Sequence, residues 1–360
     1  MKKILCLIDT LGMGGAERQI IGLALLLKQR GYRTDLICYD KHDFFDELVE
    51  RYGLGSLMLH VGNSPLSKLM AVRRHIKQSG GYDVVISYKT GPNIIGCLLK
   101  LMGMKFCLLV SERNTTQYLQ RREKLMFNLY RWADFVVSNS YSQSAFIKEH
   151  FSWLKKTVVV TNFTDIDYFV PTLSPEKEIL TILTTARIAA QKNVLRFLDT
   201  VELLKKRGIE KIHFDWYGDV QTGEEAYGEK VFDKVKSLKL EDIITFHPAT
   251  PQILEHYQNC DIFCLPSNYE GFPNVVCEAM SCGKPVVCSR VCDNPNIVKE
   301  GENALMFDQT SAEDMADKLQ RMCAMRQEER NEWGHRSREI AEKTLSMESF
   351  VNKYIELIES

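Results

Sequence analysis

The chain has 360 residues, of which 45% are hydrophobic and 26% charged, the composition of a globular protein. Its length allows two domains that each bury a core. No apolar run approaches the roughly 20 residues that span a bilayer, so no transmembrane helix is predicted. The run 1–15 passes from a few apolar residues straight into Asp9 and glycines, which predicts a first strand and not a signal peptide.

The net charge of −1 conceals an asymmetry between the two halves of the chain. Residues 1–170 carry 23 basic and 15 acidic side chains, a net charge of +8, whereas the remaining residues carry 23 and 32, a net charge of −9. Such an asymmetry predicts that the first half meets an anionic surface or ligand. Chance scatter of surface charge would give the same pattern.

The eleven cysteines are an odd number, so at least one must be unpaired. Most lie in apolar runs, as small core residues do in a reducing compartment. Six cysteines cluster in residues 260–292, but none forms a Cys-x-x-Cys pair, so a zinc site is not predicted.

Strand-like runs alternate with helical periodicity along the chain, which predicts βαβ units on parallel sheets. A run with two prolines and no periodicity, residues 165–178, is the predicted linker. The predicted domains are 1–168 and 175–340, followed by a helix within 341–360. That helix is half apolar, so it must pack on another surface, which could be the second domain alone. The predicted strands are 3–8, 33–39, 84–87, 106–111, 135–138, 157–160, 179–186, 214–217, 243–246, 261–265, 285–289 and 304–307.

The first loop, residues 11–18 (LGMGGAER), follows the first strand and opens a helix predicted over 16–30. Gly14 and Gly15 allow the backbone to approach a ligand, and the helix N-terminus offers N–H groups to an anion. The glycine spacing is not the dinucleotide fingerprint, which weakens an NAD oxidoreductase hypothesis. Glu17 is interpreted as a first-turn helix glutamate and not as a catalytic one.

The corresponding loop of the second domain, residues 185–193 (TARIAAQKN), contains two cations. Arg187 and Lys192 lie five residues apart across a turn, so both could converge on one point. Two cations beside a helix start suit a diphosphate, whose leaving charge they would neutralise. A single exposed lysine is more often only solvated, but the pair at this position favours binding.

A third loop, residues 267–280 (SNYEGFPNVVCEAM), contains two carboxylates. Glu270 is predicted to follow a buried strand, and Glu278 to lie in the second turn of a helix over Asn274–Ser281. Pro273 suits the first helical position. Loops at the carboxyl ends of parallel strands that open a helix bind phosphorylated ligands in α/β sheets. The alternative is a plain βαβ connection with solvated glutamates.

The third loop, with EGFPN followed by EAMSCGKPVV, resembles the E-x7-E signature of the retaining glycosyltransferases of family 4, in group 1. The resemblance implies the α/β GT-B fold: two Rossmann-like domains whose parallel sheets face a central cleft. It also implies a C-terminal helix that crosses back to the N-terminal domain. A nucleotide-sugar is then the substrate, with UDP as the expected carrier, and neither a further cofactor nor a metal is expected.

The resemblance assigns roles to the residues of the second domain. Glu270 would position the transferred sugar, while Arg187 and Lys192 would stabilise the departing diphosphate, so these three are the expected catalytic residues. The second loop is similar to the family's G-R-x-x-x-x-K-G element, with Ala186 and Asn193 in place of the glycines, which predicts a stiffer loop. The expected donor-binding residues are Gly14, Gly15, Gly218, His247, Gly271, Phe272, Asn274 and Glu278.

The segment 111–114 (SERN) sits where many family members carry a histidine near the reacting sugar, and this chain has none there. Glu112 could help to deprotonate the acceptor, and Arg113 could bind an acceptor phosphate. Asn114 is the third candidate on the acceptor side. Equally, Glu112 and Arg113 could form an internal structural cluster.

The expected activity is retaining, metal-independent transfer of a hexosyl or N-acetylhexosaminyl group in bacterial envelope polysaccharide synthesis, for lipopolysaccharide or capsule. The acceptor would be a glycan or a polyprenyl or other lipid-linked species. Two alternatives stay open: a sugar-nucleotide epimerase of the same fold, and a nucleotide- or glycan-binding protein without catalysis.

The expected location is cytoplasmic, with peripheral contact between the basic N-terminal domain and an anionic membrane. Two basic amphipathic stretches could make that contact. Residues 67–78 are expected to pack on the sheet instead, and residues 120–132 are left open. No nucleic acid partner is expected.

Overall fold

A computed structural model of the chain describes residues 1–12, 14–40, 45–59, 62, 64–113, 116, 120–172 and 177–360. The chain divides into two compact units. The first unit comprises Met1–Phe163 and Met347–Ser360, and the second comprises Thr164–Ser346.

The first unit is built on a parallel sheet of seven strands in the order β3-β2-β1-β4-β5-β6-β7. Both faces of the sheet are buried, which explains why its strands have continuous apolar sequences and not alternating ones. The strands are β1 Lys3–Leu7, β2 Arg33–Cys38, β3 Ser56–Met58, β4 Val84–Tyr88, β5 Cys107–Glu112, β6 Phe135–Ser138 and β7 Thr157–Val159. The helices are α1 Gly15–Gln29, α2 Asp46–Arg51, α3 Pro65–Gln78, α4 Thr90–Leu101, α5 Arg121–Leu129 and α6 Tyr141–His150, with a 3₁₀ turn at Tyr130–Trp132.

The second unit is built on a parallel sheet of six strands in the order β10-β9-β8-β11-β12-β13. Its strands are β8 Leu180–Thr185, β9 Ile212–Tyr217, β10 Ile244–His247, β11 Ile262–Leu265, β12 Val286–Ser289 and β13 Ala304–Phe307. Its helices are α7 Val194–Lys206, α8 Glu225–Ser237, α9 Ile253–Asn259, α10 Asn274–Ser281, α11 Asn294–Ile297, α12 Ala312–Cys323 and α13 Gln327–Thr344, with a 3₁₀ turn at Ala190–Lys192.

Each sheet has one topological switch point, where the order of its strands reverses. In the first unit it lies between β1 and β4, and in the second between β8 and β11. The loops that leave neighbouring strands in opposite directions open a crevice at their carboxyl ends, which is where open α/β sheets bind ligands. The loops carrying Arg187 and Glu270 border the switch point of the second unit.

The last helix, α14 Met347–Glu359, packs in the first unit. Phe350, Val351, Tyr354 and Ile358 are buried in the core that covers one face of the first sheet. The Tyr354 hydroxyl lies 2.8 Å from the Tyr88 hydroxyl and accepts a hydrogen bond of 2.7 Å from Arg113 Nη2. This is the arrangement that the family resemblance implied for the C-terminal helix.

The boundaries of the units differ by several residues from those predicted. The predicted linker begins inside the second unit, because Phe169 is buried in that unit's core. Arg338 Nη1 also donates to the carbonyls of Ile166 and Phe169, at 2.9 and 2.8 Å. Proline content alone therefore placed the predicted boundary too late in the chain.

The predicted strands all form, with bounds that differ by a residue or two. The sequence did not predict β3, which has three residues and is partly exposed at the sheet edge. Among the described residues, no helix combines the length and the apolar character that crossing a bilayer requires.

Candidate functional site

Lys192 and Glu270 form an ion pair across the switch point of the second unit. The distance between Lys192 Nζ and Glu270 Oε1 is 2.5 Å, and the two side chains are only 12% and 8% exposed. The Ser267 hydroxyl donates to the same carboxylate oxygen, also at 2.5 Å. Two donors therefore fix the position of the Glu270 carboxylate at the carboxyl end of the sheet.

Polar contacts join the two loops that carry this ion pair. The Asn268 backbone N–H donates to the Gln191 carbonyl at 2.8 Å, and the Asn268 side-chain amide donates to the Ala190 carbonyl at 2.9 Å. Gln191 Nε2 donates in return to the Tyr269 carbonyl at 3.0 Å. These contacts fix the loop after β8 relative to the loop after β11.

Asn193 shows how this chain does without the family's glycine. Its backbone has φ +58° and ψ +32°, the left-handed region in which glycine and asparagine are the favoured residues. The Asn193 amide donates to the carbonyls of Pro266 and Gln309, at 3.1 and 2.9 Å. The substitution keeps the turn and adds two hydrogen bonds that glycine could not make.

Arg187 is the exposed cation of the second loop. It lies two residues after β8 and makes no hydrogen bond or ion pair with any residue that the structure describes. Lys192, by contrast, is engaged with Glu270. The two cations predicted as a pair therefore differ in their surroundings: Lys192 is buried in an ion pair, whereas Arg187 is exposed to solvent.

Glu278 lies in the second turn of α10, as predicted, and is buried. Tyr257 donates its hydroxyl to Glu278 Oε2 at 2.9 Å, and the same hydroxyl lies 2.8 Å from Thr185 Oγ1. Burial raises the pKa of Tyr257 well above its usual range, so this phenol remains a donor. The chain of three side chains links Glu278 to the last residue of β8.

The beginning of α10 contains the remaining predicted residues of this loop. Gly271 and Phe272 form the bend before the helix, and Phe272 is buried. Asn274 is the first helical residue, so Pro273 lies one position before the helix and not at the first helical position.

Gly218 lies where the loop after β9 closely approaches the loop after β8. Its φ is +153°, and an added Cβ would lie 2.1 Å from the Ala186 carbonyl oxygen. The indole of Trp216 donates to that same oxygen at 2.7 Å. The absence of a side chain at Gly218 therefore allows the ends of β8 and β9 to lie side by side.

His247 ends β10 and is engaged by its neighbours. Its Nε2 lies 2.7 Å from Asp215 Oδ1, and its ring stacks on Tyr217 with centroids 4.3 Å apart. Tyr217 also stacks on His256, at 4.1 Å. The stack forms a platform beside the carboxyl ends of β9 and β10.

The first loop, residues 11–18, leaves space at Gly14 for the carboxylate of Glu17. Gly15 is the first residue of α1, and an added Cβ at Gly14 would lie 2.3 Å from Glu17 Oε2. Glu17 is buried, and its other oxygen pairs with Lys89 Nζ at 2.8 Å. Lys89 Nζ also pairs with Asp9 Oδ1 at 2.8 Å.

The cluster of Asp9, Glu17 and Lys89 at the switch point of the first unit was not predicted from the sequence. Burial alone would lower the pKa of Lys89, but its bonds to Asp9 and Glu17 outweigh that effect and raise the pKa, so the ammonium stays charged. Lys89 has φ +75° and ψ +161°, a region that residues with a side chain rarely adopt. The available signal was positional, since Asp9 and Lys89 each follow a central strand.

The structure places Glu112 and Arg113 inside the first unit. Glu112 Oε1 accepts hydrogen bonds from Asn93 Nδ2 at 3.1 Å and from the Tyr130 hydroxyl. Arg113 is 8% exposed, donates to Asn162 Oδ1 at 2.7 Å and lies over the Tyr88 ring. These contacts favour the structural alternative for both residues, although each has its own partners. Asn114 lies outside the described residues.

Within the part of the chain that the structure describes, no three His, Cys, Asp or Glu side chains are grouped to hold a metal ion. All eleven cysteines are free thiols, and most are buried. Burial raises the pKa of the Cys260 and Cys288 thiols to about 12, as expected for small core residues.

Replacing Gly218 by Ala is expected to lower the free energy of unfolding by about 1–3 kcal/mol, because a Cβ would collide with the Ala186 carbonyl. Gly223→Ala is the matched control, since Gly223 has φ +89° but open space around its Cβ position. Chemical denaturation measures the loss, and equal losses of stability in the two variants would contradict the steric explanation.

Replacing Glu112 by Gln tests whether this carboxyl is structural or an acid–base group. Burial raises the pKa of Glu112, although bonds from Tyr130 and Asn93 and the charge of Arg113 oppose the shift. Because the folded pKa exceeds the unfolded one, ionised Glu112 costs stability as the pH rises through the folded pKa. Glu112→Gln should therefore retain activity and match or exceed wild-type stability at pH 8, with a smaller difference near pH 4.

The comparison variant Glu112→Ala should lose about 1–3 kcal/mol of unfolding free energy, because two buried donors lose their acceptor. Thermal melts across this pH range and activity assays give the answer. A fall of about 100-fold or more in the turnover of a folded Glu112→Gln protein would instead show an acid–base role.

Two family models match the chain in succession. The model "Glycosyltransferase Family 4" matches residues 13–168, and the model "Glycosyl transferases group 1" matches residues 167–340. Together they account for all but the two ends of the chain.

Curated relatives are similar over most of their own length. An uncharacterized glycosyltransferase of Haemophilus influenzae is 26% identical over 329 residues, 89% of this chain and 90% of that protein. An N-acetyl-D-galactosaminyltransferase of Campylobacter jejuni, whose name gives a diphosphoundecaprenol-linked acceptor, is 27% identical over 289 residues, 78% of this chain and 77% of that protein.

Solved structures show the same fold. HepE of Anabaena, solved in complex with UDP-glucose, has a TM-score of 0.86 at 19% identity, with both chains covered completely. Sucrose-phosphate synthase of Thermosynechococcus elongatus has a TM-score of 0.84 at 18% identity, covering 99% of this chain and 98% of that one. With the two parallel-sheet units and the two family models, these likenesses show that the chain belongs to the family 4 glycosyltransferases of group 1, with the GT-B fold.

Proposed function

We propose that the chain transfers a hexosyl or N-acetylhexosaminyl group, with retention of anomeric configuration, from a UDP-sugar to a glycan or lipid-linked acceptor. The observation that carries the proposal is the switch point of the second unit. There, a buried Lys192–Glu270 ion pair and an exposed Arg187 lie on neighbouring loops at the carboxyl ends of β8 and β11. A fixed carboxylate paired with an ammonium, with an exposed guanidinium on the neighbouring loop, suits a sugar and the diphosphate that leaves it.

In this proposal the cations act on the leaving group. The bond from the anomeric carbon to the diphosphate breaks as negative charge develops on the phosphate oxygens. Arg187 is solvated and free to reorient toward that charge, whereas Lys192 is already oriented by Glu270. Pre-oriented charges stabilise the transition state without reorganisation during the reaction.

Glu270 and Glu278 are proposed to bind two different sugars of the donor. Lys192 and Ser267 orient the Glu270 carboxylate, whose acceptor character suits the hydroxyls of the transferred sugar. Glu278 lies in the second turn of α10, eight residues after Glu270, and suits the ribose hydroxyls. The aromatic platform that includes Tyr217 and His247 would lie toward the base.

Retention follows in this scheme without an enzyme nucleophile. The acceptor hydroxyl attacks the anomeric carbon on the face from which the diphosphate leaves, and its proton passes to a phosphate oxygen. The Glu270 carboxylate is engaged by an ammonium and a hydroxyl, which suits a positioning role better than covalent attack. We also propose that no metal is needed, because Arg187 and Lys192 supply the positive charge.

The first unit is proposed to bind the acceptor at its own switch point. Asp9 and Lys89 have side chains 28% and 26% exposed, whereas Glu112 and Arg113 are buried. A carboxylate held by an ammonium can accept a hydrogen bond from an acceptor hydroxyl. The acceptor role is therefore proposed for Asp9 and Lys89, with Glu17 as the buried counter-charge that keeps Lys89 in place.

A lipid-linked acceptor in bacterial envelope polysaccharide synthesis is supported by the names of relatives. The Campylobacter jejuni relative and a galactosyltransferase of Escherichia coli, 20% identical over 335 residues, are both named for diphosphoundecaprenol-linked acceptors. The E. coli name also specifies a UDP-sugar donor. A cytoplasmic enzyme in peripheral contact with the inner face of the membrane would fit such an acceptor.

Nucleotide release from candidate UDP-sugars in the presence of a diphosphoundecaprenol-linked sugar as acceptor tests the proposal, with Arg187→Ala and Glu270→Ala against wild type. Each substitution is expected to lower kcat by about 100-fold or more, because each removes an interaction of the transition state. Arg321→Ala is the control, since Arg321 is an exposed arginine of the same unit on α12 and should leave kcat unchanged.

The same reactions decide the remaining points. Nucleotide release that persists in both variants would remove the site assignment. Conversion of the donor without nucleotide release would indicate an epimerase, and binding without reaction a non-catalytic protein. The anomeric proton coupling of the product should show the configuration of the donor, and a chelator should leave the rate unchanged; an inverted product or a lost rate would contradict retention or metal independence.

A further inference from the structure

A cavity of about 460 Å³ opens in the first unit, away from the predicted sites. It lies at the C-terminal ends of α3 and α4, where the chain enters the amino ends of β4 and β5. The cluster of Asp9, Glu17 and Lys89 lies at the carboxyl ends of the same sheet, so the cavity is at the opposite edge.

Three cations line the cavity: Arg73, Lys77 and Lys105. None of them makes an ion pair with a described residue, whereas the nearby Lys3 and Lys100 pair with Asp35 and Asp134 at 3.8 and 2.5 Å. The cavity therefore has an unbalanced positive charge in a part of the surface where other lysines are neutralised.

Arg73 has a second unusual feature. Its Nε is buried and has no hydrogen-bond partner among the described residues. Arg73 lines the cavity and has no ion-pair partner among the described residues, so its guanidinium is available to an anion there. A guanidinium prefers phosphate and carboxylate oxygens.

The cations are not needed to satisfy the helix ends. Gly80 and Gly81 donate their N–H groups to the carbonyls of Lys77 and Ile76, at 3.2 and 2.9 Å. Gly103 and Met104 do the same for α4, donating to the carbonyls of Lys100 and Leu99 at 2.9 and 3.1 Å. Because the chain's own backbone caps these terminal carbonyls, helix capping does not account for three cations here.

The acidic groups around the cavity are already engaged. Asp35 accepts a hydrogen bond of 2.7 Å from the Tyr82 hydroxyl, and Tyr82 forms part of the cavity wall. Asp83 accepts the Lys3 backbone N–H at 2.7 Å. Neither carboxylate pairs with Arg73.

Apolar side chains border the cations. Ile76 and Met104 line the cavity, and Met102 at its wall is 44% exposed. The adjoining Leu101 is 51% exposed at the end of α4. A cationic cavity with an exposed apolar rim fits a phosphate that carries hydrocarbon better than it fits a free, fully hydrated anion.

We propose that this cavity binds the phosphate group of an acidic phospholipid, with Arg73, Lys77 and Lys105 around the headgroup and Leu101 and Met102 against the acyl region. The inference rests on the membrane contact in the proposed function and gives it a definite site. Residues 67–78 were expected only to pack on the sheet. Val72 and Ile76 of α3 do pack in the core. The residues that follow each of them, Arg73 and Lys77, line the cavity.

Vesicle sedimentation tests the site, with phosphatidylglycerol and phosphatidylcholine in equal parts against phosphatidylcholine alone. The wild-type chain should bind the acidic vesicles, and Arg73→Glu/Lys77→Glu should lower the binding constant by about tenfold or more. Lys230→Glu/Lys236→Glu is the matched control, because it makes the same change of charge on the exposed face of α8 in the second unit. That control should bind as the wild type does.

Lys105→Glu keeps the test decisive if the double variant folds poorly, because Lys105 is exposed in a loop and its replacement should not disturb the fold. Reversing the charge of this side chain should also weaken vesicle binding. Equal binding by wild type and cavity variants, or equal loss in the control, would overturn the inference. Titration with inorganic phosphate separates the sources: phosphate binding that Arg73→Glu/Lys77→Glu abolishes, with unchanged vesicle binding, would also overturn the lipid assignment.

Nucleotide release from a soluble donor separates this inference from the proposed function. The cavity variants should keep the wild-type rate, since they leave Arg187, Lys192 and Glu270 unchanged. A wild-type chain that releases no nucleotide would contradict the proposed function while the vesicle result stands by itself.

Discussion

The Lys192–Glu270 ion pair is the constraint on which the second unit's site depends. Burying two opposite charges costs solvation free energy, which is recovered only when the geometry is good and further hydrogen bonds satisfy the groups. Ser267 supplies such a bond to the carboxylate, and Asn268 and Asn193 hold the two loops in register. The ion pair therefore requires a rigid switch point, which suits the diphosphate leaving group of the proposed function.

Both units use the same physical solution with different residues. Each places an ammonium and a carboxylate at the carboxyl ends of its central strands: Lys192 with Glu270 in the second unit, and Lys89 with Asp9 and Glu17 in the first. Topology explains the recurrence, because chain reversal at the switch point leaves room for loop side chains. The first unit adds backbone strain at Lys89, which a merely solvated lysine would not need.

The fold could be predicted from the sequence because the central strands of both sheets are buried and have apolar runs of strand length. The exception, β3, is a three-residue edge strand whose first two residues are exposed, so it had no such run. The family signature also located the loops that carry Glu270 and Arg187. It could not predict the partners of Glu112 or Arg113, because Tyr130 and Tyr354 lie outside the signature and meet these residues only in the folded chain. The cluster around Lys89 escaped prediction for the same reason.

In the proposed function, the switch point between β8 and β11 binds the nucleotide-sugar. Hydrogen–deuterium exchange of the protein with and without UDP tests this binding site. UDP should slow exchange in the two loops after these strands, residues 186–193 and 267–278, more than in the loops after β12 and β13. Protection confined to the first unit, or none in these two loops at saturating UDP, would contradict it.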